Sequence, residues 1–331
     1  MPLVSIITPS YNQAAFLEQT IQSVLRQDYA QVEYVVIDGA STDGSLDIIQ
    51  RYTDRLDGWI SEPDSGQAEA INKGLRDSRG EIVAWLNSDD LYLPGAVTSA
   101  VAVLEADPSL GMVFGDAITV DADGRPLNQL AFGDWQLVDL MGFRIICQPA
   151  VFMRRAVLEK AGFLDPSYHF MLDHHLWLRM ARLAPIRHIP VHLAAARYHQ
   201  DAKNVKQALG FSLETQRILE WMQTQPDLAR IARIEGNKIK GGAYRLQARY
   251  FLDGDQPAKA LQFYARALLA SPRYALKHWR RMLYAAAALL GFRRLADHLY
   301  YHWDSRRADQ NEMINITGLE GWPGLLLEDR S

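Results

Sequence analysis

Five short runs rich in β-branched and apolar residues punctuate the first third of the chain: VSIIT from residue 4, YVVID from 34, GWIS from 58, EIVAWLN from 81 and GMVFGDAITV from 111. Helical patterns lie between them. Phe16, Leu17, Ile21, Val24 and Leu25 recur at the spacing that lays one apolar stripe along a helix, and Pro94 stands where a first-turn proline would open a helix carrying Val97, Val101 and Leu104. Alternation of this kind builds βαβ units, so the predicted architecture is α/β, a Rossmann-like, mostly parallel sheet flanked by helices. Such open sheets bind ligands beyond the carboxyl ends of their strands, which is where the polar clusters GASTDGS, EPDSGQ and NSDD fall.

A chain of 331 residues, 48% of them hydrophobic, can bury a large core and is long enough for two domains. The formal net charge of −4 supplies no global basic field, which argues against nucleic acid as a partner. A single cysteine, Cys147, excludes an intrachain disulfide and any multi-cysteine metal site, and its expected place is that of a small buried hydrophobe. The N-terminus, MPLVSIITPSYN, lacks a basic region before its apolar residues and breaks at Pro9, so it reads as a first strand rather than a signal peptide. The longest apolar stretch, MLYAAAALLGF from residue 282, is shorter than the ~20 residues of a membrane-spanning helix. These features predict a cytoplasmic protein, soluble or peripheral to the inner membrane.

Beyond residue 200 strand signals stop and long segments rich in Ala, Leu, Arg and Gln take over. An α/β domain over 1–204 followed by an all-helical domain over 205–331 is the simplest division. Ala260, Tyr264, Ala267 and Pro272 follow the Gly254-Asp255 turn at intervals of four, three and five, which resembles one tetratricopeptide-type hairpin around 243–273. No second copy recurs at the period of about 34 residues, so a plain helical hairpin serves equally well. The stretch RYALKHWRRMLYAAAALLGFRRLADHLYYHWDSRR mixes aromatic residues, Leu and Arg. It suits a helix packed inside this domain, a homo-oligomer interface, or an interfacial helix in peripheral contact with a membrane.

The stretch WLNSDDLYLP, from Trp85 to Pro94, delivers two adjacent carboxylates to the end of an apolar run. Such a pair repels itself and is poorly solvated unless a cation or hydrogen-bond donors stabilise the charge. A hard divalent ion, Mg²⁺ or Mn²⁺, does so with one or two protein carboxylates, the remaining positions going to water and substrate phosphates. Asp89 is the candidate ligand. The alternative is that Asp89 and Asp90 cap a helix opening near Pro94.

Four blocks, SIITPSYNQAAFLEQTIQSVLRQDY, EYVVIDGASTDGS, SEPDSGQAEAINKGL and GEIVAWLNSDDLYLPGA, resemble in order and spacing the nucleotide-sugar-binding half of a family 2 glycosyltransferase with the GT-A fold. The resemblance continues through QPAVFMRRAVLEKAGFLD, MLDHHLWLRMA and ARYHQD, and so covers roughly residues 1 to 200. It implies that Thr8, Pro9 and Tyr11 surround the nucleoside, that Asp38 accepts hydrogen bonds from base or ribose, and that Asp64, Gly66, Gln67 and Asn72 line the nucleotide pocket. The last acid of the family's Asp-any-Asp signature, which binds the metal bridging the diphosphate, falls on Asp89. Asn87 replaces the first acid and keeps hydrogen-bonding capacity for a ribose hydroxyl while removing one charge, with Ser88 between them.

The segment FLDPSYHFMLDHHLWLRM resembles the one that supplies the catalytic base in inverting members. Asp173 matches the second acid of the usual pair, whereas Leu172 and His175 stand where other acids are expected. A carboxylate opposite the leaving diphosphate would take the proton from an acceptor hydroxyl as that oxygen attacks the anomeric carbon in line. The alternative role for Asp173 is an N-cap of a helix over Leu176 to Leu183. His199 matches a late histidine used near the metal or diphosphate, and Gln148, His174 and Trp177 are acceptor-side candidates, with Trp135 a second possible sugar platform. The implied activity is transfer of a sugar from a nucleoside-diphosphate donor to a hydroxyl of a glycan or lipid-linked glycan in bacterial surface polysaccharide biosynthesis. A nucleotide-sugar-binding or scaffolding protein with a decayed catalytic half is the competing reading. An oxidoreductase is disfavoured because TPSYNQ replaces the G-x-G-x-x-G turn after the first strand.

Overall fold

A computed structural model describes residues 1–199, 207–292 and 321–325. They fall into two compact units, and these do not follow a single cut of the chain. Met1–Gln136, Ile146–Tyr198 and residues 321–325 belong to the first; Leu137–Ile145, His199 and 207–292 belong to the second. The expected boundary at 204/205 and residues 293–307 of the aromatic-rich C-terminal stretch lie outside the described residues.

The first unit opens as β1 (Val4–Ser10), α1 (Ala14–Leu25), β2 (Val32–Asp38), α2 (Ser45–Arg51), β3 (Gly58–Ser61), α3 (Gln67–Asp77) and β4 (Ile82–Trp85). β1 pairs in parallel with β2 and β4, and β2 pairs in parallel with β3. In this register Ser10, Asp38 and Ser61 stand side by side at the carboxyl ends of three strands. Leu17, Ile21 and Val24 of α1 join Val4, Ile6, Val36 and Ala84 in one core cluster. On the other face, Gly74 of α3 lies so close to β1 that an added Cβ would collide with Ile7. Only glycine allows that approach.

The remainder of the unit departs from a parallel sheet. It adds β5 (Leu91–Tyr92), α4 (Ala96–Ala106), β6 (Met112–Val120), β7 (Pro126–Leu130), β8 (Val151–Arg154), α6 (Arg155–Ala161), α7 (Leu172–Ala181) and β9 (Ile186–Arg197), with the short α5 (Leu137–Met141) assigned to the second unit. Among the described residues the strands form one nine-stranded sheet in the order β3-β2-β1-β4-β8-β6-β9-β5, with β7 beside β6. β8 is antiparallel to β4 and β6, and β5 to β9, while β6 and β9 are parallel. The GT-A type of sheet is therefore present, parallel on one side and mixed on the other. Hydrophobic periodicity reports burial but not chain direction, so the mixed half was not readable from it.

Helix α4 begins at Ala96 behind Gly95, which takes the left-handed conformation at φ 73°. Asp89 and Asp90 are separated from it by β5, so capping of that helix does not account for them. Asp173 is likewise no N-cap, since α7 starts at Leu172 behind Met171 and places Asp173 in its first turn. A carboxylate there is favoured by the positive end of the helix dipole.

In the second unit no strand occurs among the described residues; α5 is joined by α8 (Ala208–Thr224), α9 (Pro226–Ile234), α10 (Gly236–Asp253), α11 (Pro257–Ala270), α12 (Pro272–Ala275) and α13 (Trp279–Leu289). The hairpin read from the sequence is α10 and α11, which share a core of Ala248, Ala260 and Tyr264 with Ala285. Lys238 of α10 bonds Asp139 of α5 at 3.0 Å, and Phe211 of α8 stacks on Tyr250 of α10. Among the described residues no helix is long and apolar enough to cross a membrane.

Candidate active site

Three loops meet beyond β1, β2 and β3. Asp38 is fully buried, and its carboxylate accepts hydrogen bonds from Ser41 N at 2.9 Å, Ser41 Oγ at 2.5 Å and Ser61 Oγ at 2.7 Å. A carboxylate offers about four acceptor sites, which leaves room for one further donor. Thr8 is buried with its Oγ1 3.0 Å from the Tyr34 hydroxyl, and Pro9 is buried beside it in β1. Tyr11 is 63% exposed beyond the strand. A Cβ on Gly39 would sit 2.7 Å from Asp64 Oδ2 and 3.2 Å from the Tyr11 ring, so Asp64 and Tyr11 close together over the end of β2. Gly66 N donates to Asp64 Oδ1 at 2.8 Å, and Gly66 adopts φ 129° before α3. Asn72 takes a different place from the expected pocket lining: it is buried, and both ends of its amide bond the backbone of Leu164 at 2.9 Å.

A second cluster stands beyond β4. Gln67 Nε2 donates to Asn87 Oδ1 at 2.8 Å, Asn87 Nδ2 donates to Gln148 Oε1 at 2.9 Å, and Gln148 Nε2 donates to the carbonyl of Trp85 at 2.8 Å. This amide chain ties Gln148, expected on the acceptor side, to the turn that carries Asp89. Ser88 is buried, and Thr20 of α1 sends its hydroxyl toward the carbonyls of Ser88 at 2.9 Å and Asp90 at 2.8 Å. Asp90 is buried too. Its carboxylate accepts from Arg197 N at 2.9 Å and Asn87 Nδ2 at 3.3 Å. Burial first, and then the charge of Asp89, push the Asp90 carboxyl well above its ordinary range, while donors from Arg197 and Asn87 oppose the shift. Asp89 is the more accessible member of the pair, and its carbonyl accepts from Arg197 Nε at 3.0 Å.

Burial pushes the Cys147 thiol up, and the charges of Asp90 and Asp173 push in the same direction. Asp173 is half-buried, with Oδ1 accepting from His174 N at 2.7 Å. His174 and His175 are buried, the latter stacked on Tyr168 at 4.2 Å between ring centroids. Trp177 is 1% exposed and stacks on Trp85 at 5.1 Å, so it is core and offers no open face to a sugar. Trp135 is half-buried against Phe132 and Phe114. His199 is buried and groups with the second unit, so it is not among the residues that the first unit brings together.

The donor set suits a hard ion. Among the described residues no three His, Cys, Asp or Glu side chains converge into a cage. The oxygen donors of Asp89 and Asn87, beside the buried carboxylate of Asp90, match the habit of Mg²⁺ or Mn²⁺, which complete their shells with substrate and water.

An open sheet with carboxylates and amides gathered at its strand ends defines the first unit as an α/β protein of the GT-A type. Residues 5–162 match the profile of the family described as "Glycosyl transferase family 2". A glycosyltransferase of Bacillus subtilis named TuaG and ascribed to teichuronic acid biosynthesis is 37% identical over 131 residues, which are 39% of this chain and 52% of TuaG. The chain spans between 35% and 52% of the length of the first curated relatives it matches. Among solved structures, S. aureus TarS 1-349 in complex with UDP-GlcNAc gives a TM-score of 0.58 at 18% identity, covering 91% of this chain and 92% of that one. The mannosyltransferase PcManGT from Pyrobaculum calidifontis, in complex with GDP-Man and Mn2+, gives 0.56 at 22% identity over 88% and 87%. Those two likenesses are likenesses of fold.

Proposed function

We propose that this protein is an inverting glycosyltransferase, which moves a sugar from a nucleoside-diphosphate donor to a hydroxyl of a glycan or lipid-linked glycan. The observation that carries the reading is the convergence of Asp38, Asp64 and the Asn87–Asp89 turn at one edge of the sheet, where amides join the turn to Gln67 and Gln148. A pocket of this make-up recognises ribose hydroxyls and a base through Asp38 and Asn87, with Tyr11 and Thr8 beside them. Asp89 would hold Mg²⁺ or Mn²⁺, which when bound supplies positive charge against the diphosphate.

In the chemical step the acceptor oxygen bonds to the anomeric carbon while the bond from that carbon to the donor phosphate breaks. The hydroxyl proton passes to Asp173, and attack opposite the leaving group inverts the configuration. A bacterial surface polysaccharide is the proposed setting, in line with the ascription of TuaG. The helices of the second unit are proposed to serve acceptor docking, peripheral membrane contact or self-association.

Calorimetric titration of UDP, GDP and dTDP with and without Mn²⁺, on wild type and Asp89→Ala, tests the donor site. One nucleotide is expected to bind in a metal-dependent way that the variant loses. Absence of binding by all three, or metal-dependent affinity unchanged in Asp89→Ala, overturns the reading.

A further inference from the structure

Arg197 ends β9 as a residue only 5% exposed, a costly place for a guanidinium unless its donors are all engaged. They reach four separate parts of the first unit. Nε donates to the carbonyl of Asp89 at 3.0 Å; Nη1 donates to the carbonyls of Asp121 at 3.1 Å and Ala122 at 2.9 Å; Nη2 donates to Gln19 Oε1 at 2.7 Å and to the carbonyl of Gly324 at 3.5 Å. The backbone N of the same residue holds Asp90 Oδ1 at 2.9 Å, and its guanidinium lies 4.9 Å from the centre of the Phe16 ring. One residue thus grips Asp89 by its carbonyl and Asp90 by its carboxylate, and anchors both to α1 and to the loop after β6.

The segment at residues 321–325 stands behind it. Arg26 Nη1 donates to the carbonyl of Gly321 at 3.1 Å, and Trp322 Nε1 donates to the carbonyl of Tyr92 at 2.7 Å, in the two-residue strand that follows the turn. Leu325 packs on the apolar cluster of Leu91, Leu93, Ile118, Val120 and Ala195. A site in which the ligand's own neighbour is repelled by it needs such a frame, because partners behind a metal ligand fix its orientation and their loss typically costs about 10–100-fold in metal affinity.

We propose that Arg197 is a positioning residue that sets the Asp89–Asp90 turn for the metal and diphosphate of the donor, and that the segment 321–325 acts through it as a clasp on that turn. The functional half of this inference rests on the donor site proposed above. Lysine cannot substitute, because one ammonium cannot span carbonyls on several segments as the planar guanidinium does.

The test compares wild type, Arg197→Lys and Trp322→Ala in the full chain by hydrogen exchange of residues 86–92, together with Mn²⁺ titrations of nucleoside-diphosphate binding. In Arg197→Lys the turn amides are expected to exchange at least about 10-fold faster and the Mn²⁺ requirement to rise about 10–100-fold, while nucleotide binding without metal stays as in wild type. Trp322→Ala is expected to move both readouts in the same direction by less. Wild-type exchange over 86–92 in Arg197→Lys overturns the proposal, as does a fall in thermal stability with unaltered Mn²⁺ dependence. Absence of metal-dependent binding in wild type itself overturns the donor site and with it the functional half, while the exchange comparison still decides whether Arg197 holds the turn.

Discussion

At the scale of single residues, the site divides into groups named by their own neighbours in sequence and groups named only by contact. Asp38 ends β2, and Asp64 and Asp89 follow strands within a few residues; the adjacent carboxylates mark Asp89 from the residues themselves, while Asp38 and Asp64 are named by the family resemblance. Arg197 falls within the ARYHQD segment of the resemblance, and its other sequence signal is a charge closing the Ala-rich run HLAAAR of β9. Asn72 and Trp177 illustrate that residue type does not reveal what a side chain touches: an amide suits a nucleotide pocket as well as the Leu164 backbone, and an indole suits a pyranose as well as Trp85. Asp173 lies in the first turn of α7. Replacing it by asparagine keeps shape and hydrogen bonding but removes the proton acceptor. Asp173→Asn is expected to bind donor nucleotide as wild type does and to turn over at least about 100-fold more slowly, in keeping with the worth of a general base. Near-normal turnover in a donor-transfer assay would remove Asp173 from that role.

Among elements, the pairing of β6 with β9 carries an irregularity that no periodicity announces. Gly115 pairs with Ile189, but Asp116 pairs with His192, so the chain at Pro190 and Val191 bulges out of the ladder. Bulges of this kind bend a strand and re-aim its side chains. Asp116 Oδ1 accepts from Phe132 N at 2.9 Å and lies 2.7 Å from His188 Nε2, drawing the ends of the bulged region together. Gly115 is required there, since an added Cβ would collide with Leu193 and stand 2.8 Å from the Val191 carbonyl. Gly115→Ala is expected to destabilise the fold by about 1–3 kcal/mol through overpacking. Urea unfolding of the two proteins measures it, and equal midpoints would show that β9 yields without cost.

For the molecule as a whole, one imidazole ties stability to pH. His278, in the turn between α12 and α13, is half-buried, and desolvation followed by the charges of Arg245, Arg281 and Arg249 lowers its pKa from 6.5 to about 3. Below pH 6.5 the unfolded chain takes up a proton that the folded imidazole refuses, so stability falls as pH drops from about 6.5 toward about 3. The slope from this one group is at most about 1.4 kcal/mol per pH unit. His278→Gln, which stays neutral, is expected to lose less stability than wild type between pH 7 and pH 4.5 in denaturant melts followed in the helical region. Equal losses would mean that the imidazole is solvated in the folded chain.

The amino-acid sequence alone determined the α/β class of the first unit, the carboxyl-end location of its polar clusters and the helical character of the second unit. Each follows from periodicity or turn chemistry within a window of a dozen residues, where local sterics and burial act. Only the tertiary structure decided the directions of β8, β5 and β9, the return of residues 321–325 to the sheet edge, and the joining of Gln67, Asn87 and Gln148 into one hydrogen-bonded chain. Those contacts bridge 20 and 61 residues of separation. Their partners are chosen by how the sheet closes and which groups must be satisfied once water is excluded, and neither is written in the spacing of residues along the chain.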